Sequence, residues 1–562
     1  MQALLHIENL SISFRGEESK TEAVKNISLK INTGEIVALV GESGSGKSVT
    51  ALSVLQLLPT PPAEYSSGKI LFTDENKTFD ILKIPAKELQ QLRGNKISMI
   101  FQEPMSSLNP VMKCGKQVME ALLQHKNISF AEAKRKTIEW LEKVKLPQPE
   151  KIFYRYPHQL SGGQKQRVMI AMAMCCEPKL LICDEPTTAL DVTVQKSILQ
   201  LIKELVLQTN TGVLFITHDL GVVKEFADAV GVMYQGEIIE QNNVNQIFHN
   251  PKQPYTKALL ACRPAQHPKG EKLAIVSDYL EGKVTDNAVQ LSKSFADTKT
   301  NSILAEVKSL TVLFPTRKNI LGKVLSYYKA VDNVSFTIHK GETLGLVGES
   351  GCGKTTLGRA LLRLIEPSNG NIIYNNTDIT GYDKKSLKEF RKDVQLVFQD
   401  PFSSLNPRIT IGEAIEEPMK ILMAKSKAER KRSVKELLEK VNLSSSYSSR
   451  YPHEFSGGQR QRIVIARALA LNPGLLVCDE SVSALDVSVQ AQVLNLLNDL
   501  KKEFGLTMLF ISHDLSVVRY MCDRIMVMHK GKIVESGNAE EVYENPKMDY
   551  TKKLLEAVPK AL

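Results

Sequence analysis

Two acidic residues stand side by side at the end of each of two apolar segments. Asp184 and Glu185 end the segment KLLICDE, and Asp479 and Glu480 end the segment GLLVCDE. Such a pair can divide two tasks, because one carboxylate can bind a magnesium ion while its neighbour takes a proton from water. We therefore expect Asp184 and Asp479 to act at Mg²⁺, and Glu185 and Glu480 to act as catalytic general bases.

A glycine-rich loop of the pattern GxxxxGK[ST] precedes each acidic pair. The loops read GESGSGKS over residues 41–48 and GESGCGKT over residues 348–355, each between a strand-like and a helical segment. Glycines let the backbone amides surround a phosphate at a helix start, the lysine reaches the outer phosphates, and the last hydroxyl binds Mg²⁺. The expected nucleotide-binding residues are Gly41, Glu42, Ser43, Gly44, Ser45, Gly46, Lys47, Ser48, Gly348, Glu349, Ser350, Gly351, Cys352, Gly353, Lys354 and Thr355.

A second pair of glycine-containing segments, LSGGQ and FSGGQ, opens two further helical stretches. Bare backbone amides at a helix start can bind an anion, and the serine adds a hydroxyl donor. A helix cap alone does not account for the same segment occurring twice beside nucleotide loops. The expected nucleotide contacts are Ser161, Gly162, Gly163, Gln164, Ser456, Gly457, Gly458 and Gln459.

Single polar residues at the ends of other apolar segments complete the candidate set. Gln102 and Gln399 follow the segments KISMIF and DVQLVF, and we expect them to bind the metal or its water and to contribute to catalysis. His218 and His513 follow LFIT and LFIS, and we expect them to contact the terminal phosphate and the attacking water. Strand ends of this kind meet at one edge of a parallel sheet.

An aromatic residue upstream of each glycine-rich loop could stack on a purine base. Phe14 has this position in the first half, although an ordinary strand aromatic is the alternative interpretation. Phe314 is its counterpart in the second half. Tyr327 and Tyr328 compete with it, because the polar segment PTRKNILGKVLSYY separates Phe314 from the loop. The sequence leaves this choice open.

The chain is an internal repeat. The SGGQ segments, the acidic pairs and the strand-end histidines all recur after 295 positions in a chain of 562 residues. Two homologous α/β domains are therefore expected, over residues 1–265 and 303–562, joined by a linker of mixed charge over residues 266–302. Within that linker LAIVSDYL could be ordered. At the start of the chain, LLHIENLSISF alternates in polarity like an edge strand.

Composition excludes several other classes of protein. A formal charge of +10, from 72 basic and 62 acidic residues, is mild for this length and favours a solvated basic surface. We find no stretch of about 18 apolar residues that could span a bilayer, and the N-terminal MQALLHIENL lacks the layout of a signal peptide. The eight cysteines form no CxxC pair. We expect them to be core residues of a chain in the cytosol.

The ordered set of motifs in each half resembles the nucleotide-binding domain of ATP-binding-cassette (ABC) proteins. The set comprises the GxxxxGK loop, the glutamine loop, SGGQ, the Asp-Glu strand, the ALD loop and the strand-end histidine, and it covers almost the whole chain outside the linker. The resemblance implies two tandem P-loop ATPase domains, each with a RecA-like α/β core, an antiparallel β subdomain and a helical subdomain. It also implies that ATP and Mg²⁺ bind in an intramolecular head-to-tail sandwich, between one half's GxxxxGK loop and the other half's SGGQ.

A narrower resemblance comes from SSLNP after each glutamine, from RYPH before each SGGQ segment, and from the tails NPKQPYTKALL and NPKMDYTKKLL. These segments are similar to the ATPase subunits of bacterial oligopeptide, dipeptide and nickel uptake systems, here fused as in glutathione- and microcin-type importers. The resemblance implies an ATPase at the cytoplasmic face of the plasma membrane. Its implied partners are two integral-membrane permease subunits and a substrate-binding protein; the transported substrate stays open.

Two departures from that pattern bear on the cofactors and on loop geometry. Many relatives carry a cysteine cluster for an iron–sulfur centre after the YTxxLL element, whereas this chain has only Cys262 there, so we expect no such cluster. Ser481 replaces the usual proline after the second acidic pair, which makes the rigidity of that loop uncertain.

The alternative function is a soluble twin-cassette ATPase that acts on ribosomes or DNA. Such proteins commonly have a strongly basic helix between the cassettes or zinc-binding CxxC insertions. The linker here is mixed in charge and contains no cysteine pair. We therefore expect no nucleic-acid partner.

Overall fold

The computed structural model describes residues 3–16, 20–75, 77–103, 107–188, 190–282, 302–318, 324–483 and 485–558. Within these ranges the chain forms two copies of one arrangement. Each copy has a four-stranded antiparallel sheet, a six-stranded and mainly parallel sheet, and helices packed around them.

The first half contains ten strands and eleven helices within the described residues, with short 3-10 turns at Ile81–Lys83, Pro157–Gln159 and Pro264–Gln266. In chain order they are β1 (Leu5–Arg15), β2 (Lys20–Ile31), β3 (Ile36–Val40), α1 (Lys47–Val54), β4 (Ala63–Asp74), β5 (Lys77–Asp80), α2 (Ala86–Leu92), β6 (Ile97–Ile100), α3 (Cys114–His125), α4 (Phe130–Lys143), α5 (Pro149–Phe153), α6 (Gly162–Met174), β7 (Leu180–Asp184), α7 (Val192–Thr209), β8 (Gly212–Thr217), α8 (Leu220–Phe226), β9 (Ala229–Tyr234), β10 (Glu237–Asn243), α9 (Val244–His249), α10 (Pro254–Ala261) and α11 (Val276–Leu280).

The second half repeats this order, with 3-10 turns at Ser445–Ser449 and Pro452–Glu454. Its elements are β11 (Ile303–Lys318), β12 (Val324–His339), β13 (Thr343–Val347), α12 (Lys354–Leu361), β14 (Asn369–Tyr374), β15 (Thr377–Asp378), α13 (Lys384–Asp393), β16 (Val394–Val397), α14 (Pro401–Ser404), α15 (Ile411–Leu422), α16 (Lys427–Lys440), α17 (Gly457–Leu469), β17 (Leu475–Asp479), α18 (Val487–Phe504), β18 (Thr507–Ser512), α19 (Leu515–Met521), β19 (Arg524–His529), β20 (Lys532–Asn538), α20 (Ala539–Glu544) and α21 (Asp549–Ala557).

The large sheets explain why the apolar segments end in polar residues. Their strand orders are β10-β9-β3-β8-β7-β6 and β16-β17-β18-β13-β19-β20, and β3, β7 and β8 pair in parallel. All residues of β3, β7 and β8 are buried, as expected for strands covered on both faces. Because parallel strands end at one edge, the glycine-rich loop, the acidic pair and the histidine are brought together there.

The small sheet corrects one expectation about strand position. The alternating segment LLHIENLSISF was expected to form an edge strand, but β1 lies between β2 and β4 and pairs with both. Its partly exposed residues, such as His6 and Glu8, reflect an accessible sheet face and not an unpaired edge. Alternation reports which face is buried, and it does not distinguish an edge strand from a central one in such a sheet.

The segments between the glutamine loops and SGGQ are helical. The first forms α3 and α4, and the second forms α15 and α16. Ser129 and Ser426 cap α4 and α16 by accepting a backbone hydrogen bond from the third helical residue. These helices present one apolar face to the core, so they form a helical layer beside the large sheet.

The tail of the first half crosses to the second half. Leu273 is 1% exposed, and its backbone N–H and C=O bond the side chain of Asn495 at 2.9 and 2.8 Å. The hydroxyl of Tyr520 donates to the carbonyl of Glu271 at 2.6 Å. Within LAIVSDYL, the piece of the linker that could be ordered, residues Val276–Leu280 form α11; residues 283–301 of the expected linker lie outside the described residues.

The tail of the second half crosses in the opposite direction. Helix α21 packs against α7 of the first half. There the ammonium group of Lys196 donates to the carbonyl of Glu556 at 2.6 Å. The two halves are therefore joined by reciprocal tail contacts in addition to the peptide chain.

Leu273→Ala should lower the melting temperature of the whole chain by several degrees. The substitution removes buried methyl groups from the contact between the halves, and such a change in a core costs about 2–5 kcal/mol. Differential scanning calorimetry measures the effect. Lys272→Ala, at the adjacent exposed position, is the control and should change the temperature little. Equal effects of the two substitutions would contradict the role of Leu273 as an anchor.

Candidate functional site

The glycine-rich loop of the first half wraps around a buried ammonium group. Lys47 is 5% exposed, and its Nζ donates to the carbonyls of Gly41 and Glu42 at 2.8 and 2.7 Å. A Cβ on Gly41 would lie 2.1 Å from the carbonyl of Met233, and one on Gly46 would lie 2.6 Å from that of Ala23. Both glycines have positive φ, so this loop shape excludes larger residues.

The loop of the second half has the same geometry. The Nζ of Lys354 donates to the carbonyls of Gly348 and Glu349 at 2.8 and 3.0 Å. A Cβ on Gly353 would lie 2.1 Å from the carbonyl of Ala330. The two predicted phosphate loops are thus one structure built twice.

The first acid of each pair bonds the last hydroxyl of the glycine-rich loop. Ser48 donates to Asp184 Oδ1 at 3.0 Å, and Thr355 donates to Asp479 Oδ1 at 3.0 Å. Burial raises the pKa of Asp184 to about 6, and it also raises the pKa of Asp479. A hydroxyl beside a buried carboxylate is a set of oxygen donors that suits Mg²⁺.

The second acid of the first pair is held by three polar side chains. Glu185 Oε2 accepts from Gln102 Nε2 at 3.1 Å and from Thr188 Oγ1 at 2.9 Å, while its Oε1 lies 3.2 Å from His218 Nδ1. Glu185 itself has a φ of 46°, in the left-handed region. The backbone turn after β7 therefore aims this carboxylate at residues from two other strand ends.

The second half brings together the corresponding residues. Glu480 Oε2 accepts from Gln399 Nε2 at 2.8 Å and lies 3.4 Å from His513 Nδ1, and Lys354 Nζ lies 3.7 Å from Glu480 Oε1. The φ of Glu480 is 49°, which matches Glu185. The loop after the acidic pair therefore keeps its conformation although Ser481 stands in place of proline.

The carboxylate and the imidazole shift each other's pKa. Burial alone would raise the pKa of Glu185, but the hydrogen bond and charge of His218, with Thr188 and Lys47, lower it to about 2. Burial would lower the pKa of His218, yet Glu185 raises it above its usual value. The pKa values of Glu480 and His513 shift in these same directions. Each pair is therefore stabilised in its charged form.

The SGGQ segments begin helices α6 and α17. Ser161 Oγ accepts from the Gln164 N–H at 3.3 Å, and Gln164 Oε1 accepts from the Ser161 N–H at 3.2 Å, which forms a capping box. Ser456 and Gln459 do the same. The serine oxygen is thus an acceptor within its own helix, while its proton stays free to donate.

The two glycines of each SGGQ segment have different surroundings. A Cβ on Gly163 would lie 2.8 Å from Val194, and one on Gly458 would lie 2.1 Å from Val489. Among the described residues outside their own helices, a Cβ on Gly162 would meet only Leu190, at 3.6 Å, and a Cβ on Gly457 would meet no atom within 4 Å. The second glycine is required by packing, whereas the first leaves open space in front of the helix start.

The two halves meet at their glycine-rich loops. The N–H of Ser43 donates to Asp486 Oδ2 at 2.9 Å, and Thr193 Oγ1 donates to Glu349 Oε1 at 2.8 Å. Ser488 also hydrogen bonds to the Glu42 carboxylate. These contacts run from each loop to the ALD segment of the other half or to the first turn of the helix that follows it. A cavity of about 240 Å³ between the halves is lined by residues of both, including Gln102, Glu185, His218, Asp486 and His513.

The candidate aromatic residues differ between the halves. Phe14 is partly buried against the core of the first half and pairs with Thr21 across the strands. Phe314 is 40% exposed and pairs with Tyr328 in the same way. The hydroxyl of Tyr328 donates to the carbonyl of Gly351 at 3.3 Å, so this residue reaches the glycine-rich loop. Tyr327 is exposed.

Several contacts of the site were not anticipated from the sequence. Thr188 bonds the catalytic candidate Glu185, and Thr193 and Ser488 contact the opposite loops. Tyr255 and Tyr550 accept hydrogen bonds from the loop amides of their own halves. A signal existed for the tyrosines, because they too recur after 295 positions.

The structure bears on two further expectations, namely that the chain has no membrane-spanning segment and that its cysteines are core residues. Among the described residues, no helix combines the length and hydrophobicity needed to cross a membrane. All eight cysteines are buried and unpaired.

The chain was compared with protein-family models, related sequences and solved structures, and the three comparisons agree. A family model described as "ABC transporter" matches residues 24–188 and 331–483. A second, "Oligopeptide/dipeptide transporter, C-terminal region", matches residues 239–288 and 534–561. The glutathione import ATP-binding proteins of Escherichia coli (strain K12) and Salmonella typhimurium (strain LT2) are 48% and 47% identical to the chain, over 99% of this chain and 90% of each relative. A dimeric bacterial ABC transporter cassette aligns with 42% of this chain and 99% of its own, at 29% identity and a TM-score of 0.38.

Glu185→Gln should lower the pKa of His218, because the substitution removes the negative charge that favours the imidazolium form. The pKa of His218 is higher in the folded chain than in the unfolded chain, so protonation of His218 stabilises the fold. This stabilisation is fully present below the unfolded-state pKa and is lost as the pH rises through the folded-state pKa. Histidine carbon–proton NMR resonances followed against pH measure the shift. His125, whose pKa is lowered by burial, is the internal control and should titrate unchanged. An unaltered His218 titration would contradict the pairing.

Proposed function

Because the chain belongs to the ABC transporter family, we propose that it is the ATP-hydrolysing subunit of a bacterial importer of small peptides, with glutathione as the first candidate substrate. The chain is an ATPase with two tandem ABC domains. The observation that carries the proposal is the duplicated site, in which a loop lysine, an acidic pair, a glutamine and a histidine meet at one sheet edge. The names of the relatives and the peptide-transporter match support the substrate class.

The residues present fit ATP and Mg²⁺. A Cβ at Gly41 or Gly348 would collide with a backbone carbonyl, so only glycine permits the tight loop that can wrap around phosphate. The phosphates would be held by the loop amides with Lys47 and Lys354, and Mg²⁺ by the loop hydroxyls, the first acids and the loop glutamines: Ser48, Thr355, Asp184, Asp479, Gln102 and Gln399. When bound, Mg²⁺ neutralises phosphate charge.

Glu185 and Glu480 are the proposed general bases. Gln102, Thr188 and His218 contact the Glu185 carboxylate, and His218 and Thr188 lower its pKa. A carboxylate with so low a pKa is a weak base, so releasing these partners would raise its pKa and strengthen it as a proton acceptor. The glutamine and the histidine would thus control when the carboxylate takes a proton from water.

The two ATP sites are proposed to lie between the halves. The bonds from Ser43 to Asp486 and from Thr193 to Glu349 support a head-to-tail arrangement, because each glycine-rich loop faces the other half. One site would use Lys47, Ser48, Gln102, Glu185 and His218 with Ser456, Gly457 and Gly458, and the other would use Lys354, Thr355, Gln399, Glu480 and His513 with Ser161, Gly162 and Gly163.

The adenine would stack on different aromatic residues in the two sites. In the second half the contact of Tyr328 with Gly351 favours Tyr328 over Phe314. In the first half Phe14 remains the proposed residue, since its strand partner is Thr21.

The permease subunits are proposed to dock beside the glutamine loops. Large apolar side chains are exposed there: Phe101 and Val111 in the first half, and Phe398 and Phe402 in the second. Exposed apolar groups are typical of protein contact sites, and Phe101 and Phe398 have equivalent positions immediately before the two loop glutamines. Two permease subunits with a substrate-binding protein would complete the importer, and the chain would lie at the cytoplasmic face of the plasma membrane.

We further propose that the chain carries no iron–sulfur cluster. Cys262 is fully buried, and burial raises the pKa of its thiol to about 12. A protonated thiol is a poor metal ligand.

The proposed division into domains at residues 1–265 and 303–562 follows the repeat, although the first tail packs on the second domain.

Replacing both proposed bases, with Glu185→Gln and Glu480→Gln together, should reduce ATP turnover by about 100-fold or more. ATP binding should persist, because the loops and their lysines are unchanged. Phosphate release and nucleotide binding are measured on the purified chain with Mg²⁺, with removal of Mg²⁺ as a negative control. Unchanged turnover in the double variant would refute the assignment.

Ser456→Arg should impair the site that contains Lys47 and leave nucleotide binding at Lys354 intact. The arginine places a bulky side chain at the open helix start that the head-to-tail arrangement assigns to Lys47. Photo-crosslinking with azido-ATP followed by peptide mapping reports each site separately. Ser161→Arg is the matched control and should show the reverse pattern. Loss at the Lys354 site in the Ser456 variant would disprove the pairing.

The substrate is tested by isolating the membrane complex and identifying the ligand of its binding protein. Uptake of labelled glutathione, measured in cells with and without the chain, should depend on it. Uptake that does not change on deletion would exclude glutathione, and competition by unlabelled peptides would define the class.

A further inference from the structure

The tail of each half sends one tyrosine hydroxyl to the glycine-rich loop of that half. The oxygen of Tyr255, in α10, accepts from the Glu42 N–H at 3.1 Å. The oxygen of Tyr550, in α21, accepts from the Glu349 N–H at 3.1 Å. The same bond, with the same length, therefore occurs twice in elements that lie outside the large sheets.

These bonds act on one peptide group from opposite sides. The carbonyl of Gly41 and the N–H of Glu42 belong to the same peptide unit, which is planar and points the two groups in opposite directions. Lys47 donates to that carbonyl at 2.8 Å, while Tyr255 accepts from that N–H. In the second half, Lys354 and Tyr550 hold the peptide between Gly348 and Glu349 in this way.

Rotation of this peptide is otherwise weakly restrained. Gly41 and Gly348 have φ values of 153° and 155°, and a glycine before the peptide offers little steric resistance to its rotation. Fixing both ends of the peptide therefore fixes the direction of the carbonyl that meets the lysine. The shape of the loop depends on the tyrosine as well as on the lysine.

Both tyrosine rings are held by packing. Tyr255 is 1% exposed and lies against Tyr234, with ring centroids 4.3 Å apart. Tyr550 stacks on His529 at 4.0 Å. Burial raises the pKa of each phenol well above its usual range, so both hydroxyls stay protonated. Each oxygen is thus a fixed and uncharged acceptor.

We propose that Tyr255 and Tyr550 are positioning residues of the two ATP sites, a role that rests on the ATPase function proposed above. They fix the loop peptide against which the lysine rests, and so keep the glycine-rich loop in its phosphate-binding shape. Because the tails that carry them are anchored on the opposite half, through Leu273 and Glu556, loop shape is also connected to the contact between the halves.

The test is the double variant Tyr255→Phe with Tyr550→Phe, which removes two oxygens and keeps both rings. The KM for ATP should rise about 3- to 10-fold, the effect of one lost neutral hydrogen bond at each site. The kcat should stay within about 2-fold, because the loop holds the phosphates in the ground state and the transition state alike. Steady-state phosphate release measures both constants.

Tyr234→Phe is the matched control. Its hydroxyl belongs to the neighbouring ring and accepts from Gln235 Nε2 at 3.0 Å, so its removal leaves the bond from Glu42 to Tyr255 in place. Its KM should equal that of the wild type. An unchanged KM in the double variant, with or without a lower melting temperature, would overturn the positioning role, as would an equal rise in Tyr234→Phe.

Amide hydrogen exchange on the unaltered chain covers the case in which the double variant fails to fold. The Glu42 and Glu349 amides should exchange at least 100-fold more slowly than in an unstructured peptide, as resolved by mass spectrometry with overlapping fragments. Exchange at the unstructured rate would overturn the role without any variant. Absence of ATP turnover in the wild type would refute the proposed function itself, whereas normal wild-type turnover with an unchanged KM in the double variant refutes only the positioning role.

Discussion

The burial of a lysine ammonium group in each glycine-rich loop is the constraint on which the site depends. Burial lowers the pKa of Lys47, and the carboxylates that oppose this effect are Glu185, Asp486, Asp184 and Glu42. A buried charge is tolerated only where carbonyls and opposite charges surround it. Asp486 belongs to the other half, so the electrostatic environment of one loop is completed across the interface. The proposed ATP site and the association of the halves therefore share one set of charges.

Much of the site could be predicted because the motifs stand at the ends of buried strands. Because β3, β7 and β8 are parallel neighbours, Lys47, Asp184 and His218 must meet at one edge of the sheet. Their positions relative to the strand ends in the sequence are sufficient to predict this meeting. The roles of these residues stay predictions, since geometry shows contact and not catalysis. The α/β class came with the resemblance of the ordered motifs in each half to ABC nucleotide-binding domains.

The features that could not be predicted depend on contacts between distant segments. Leu273 and Asn495 are 222 positions apart, and Leu273 lies in the expected linker, where the sequence has no strong periodicity. The position of β1 between two partners and the tyrosine bonds to the loops were missed for a similar reason, because a side chain's partner is decided by tertiary packing. The two halves also differ in places despite the duplication. The strand position of Tyr328 in the second half is occupied by Thr21 in the first half, so the two sites are not identical.

The reciprocal crossing of the tails has a consequence for assembly. A cassette pair made from separate chains must meet by diffusion, and the fraction paired then depends on how much of each chain the cell contains. Here the halves belong to one chain, and covalent joining raises the effective concentration of two partners, into the millimolar range when the linker is short and flexible. Closure of the two proposed ATP sites would therefore be a first-order rearrangement within one molecule, at a rate independent of expression level.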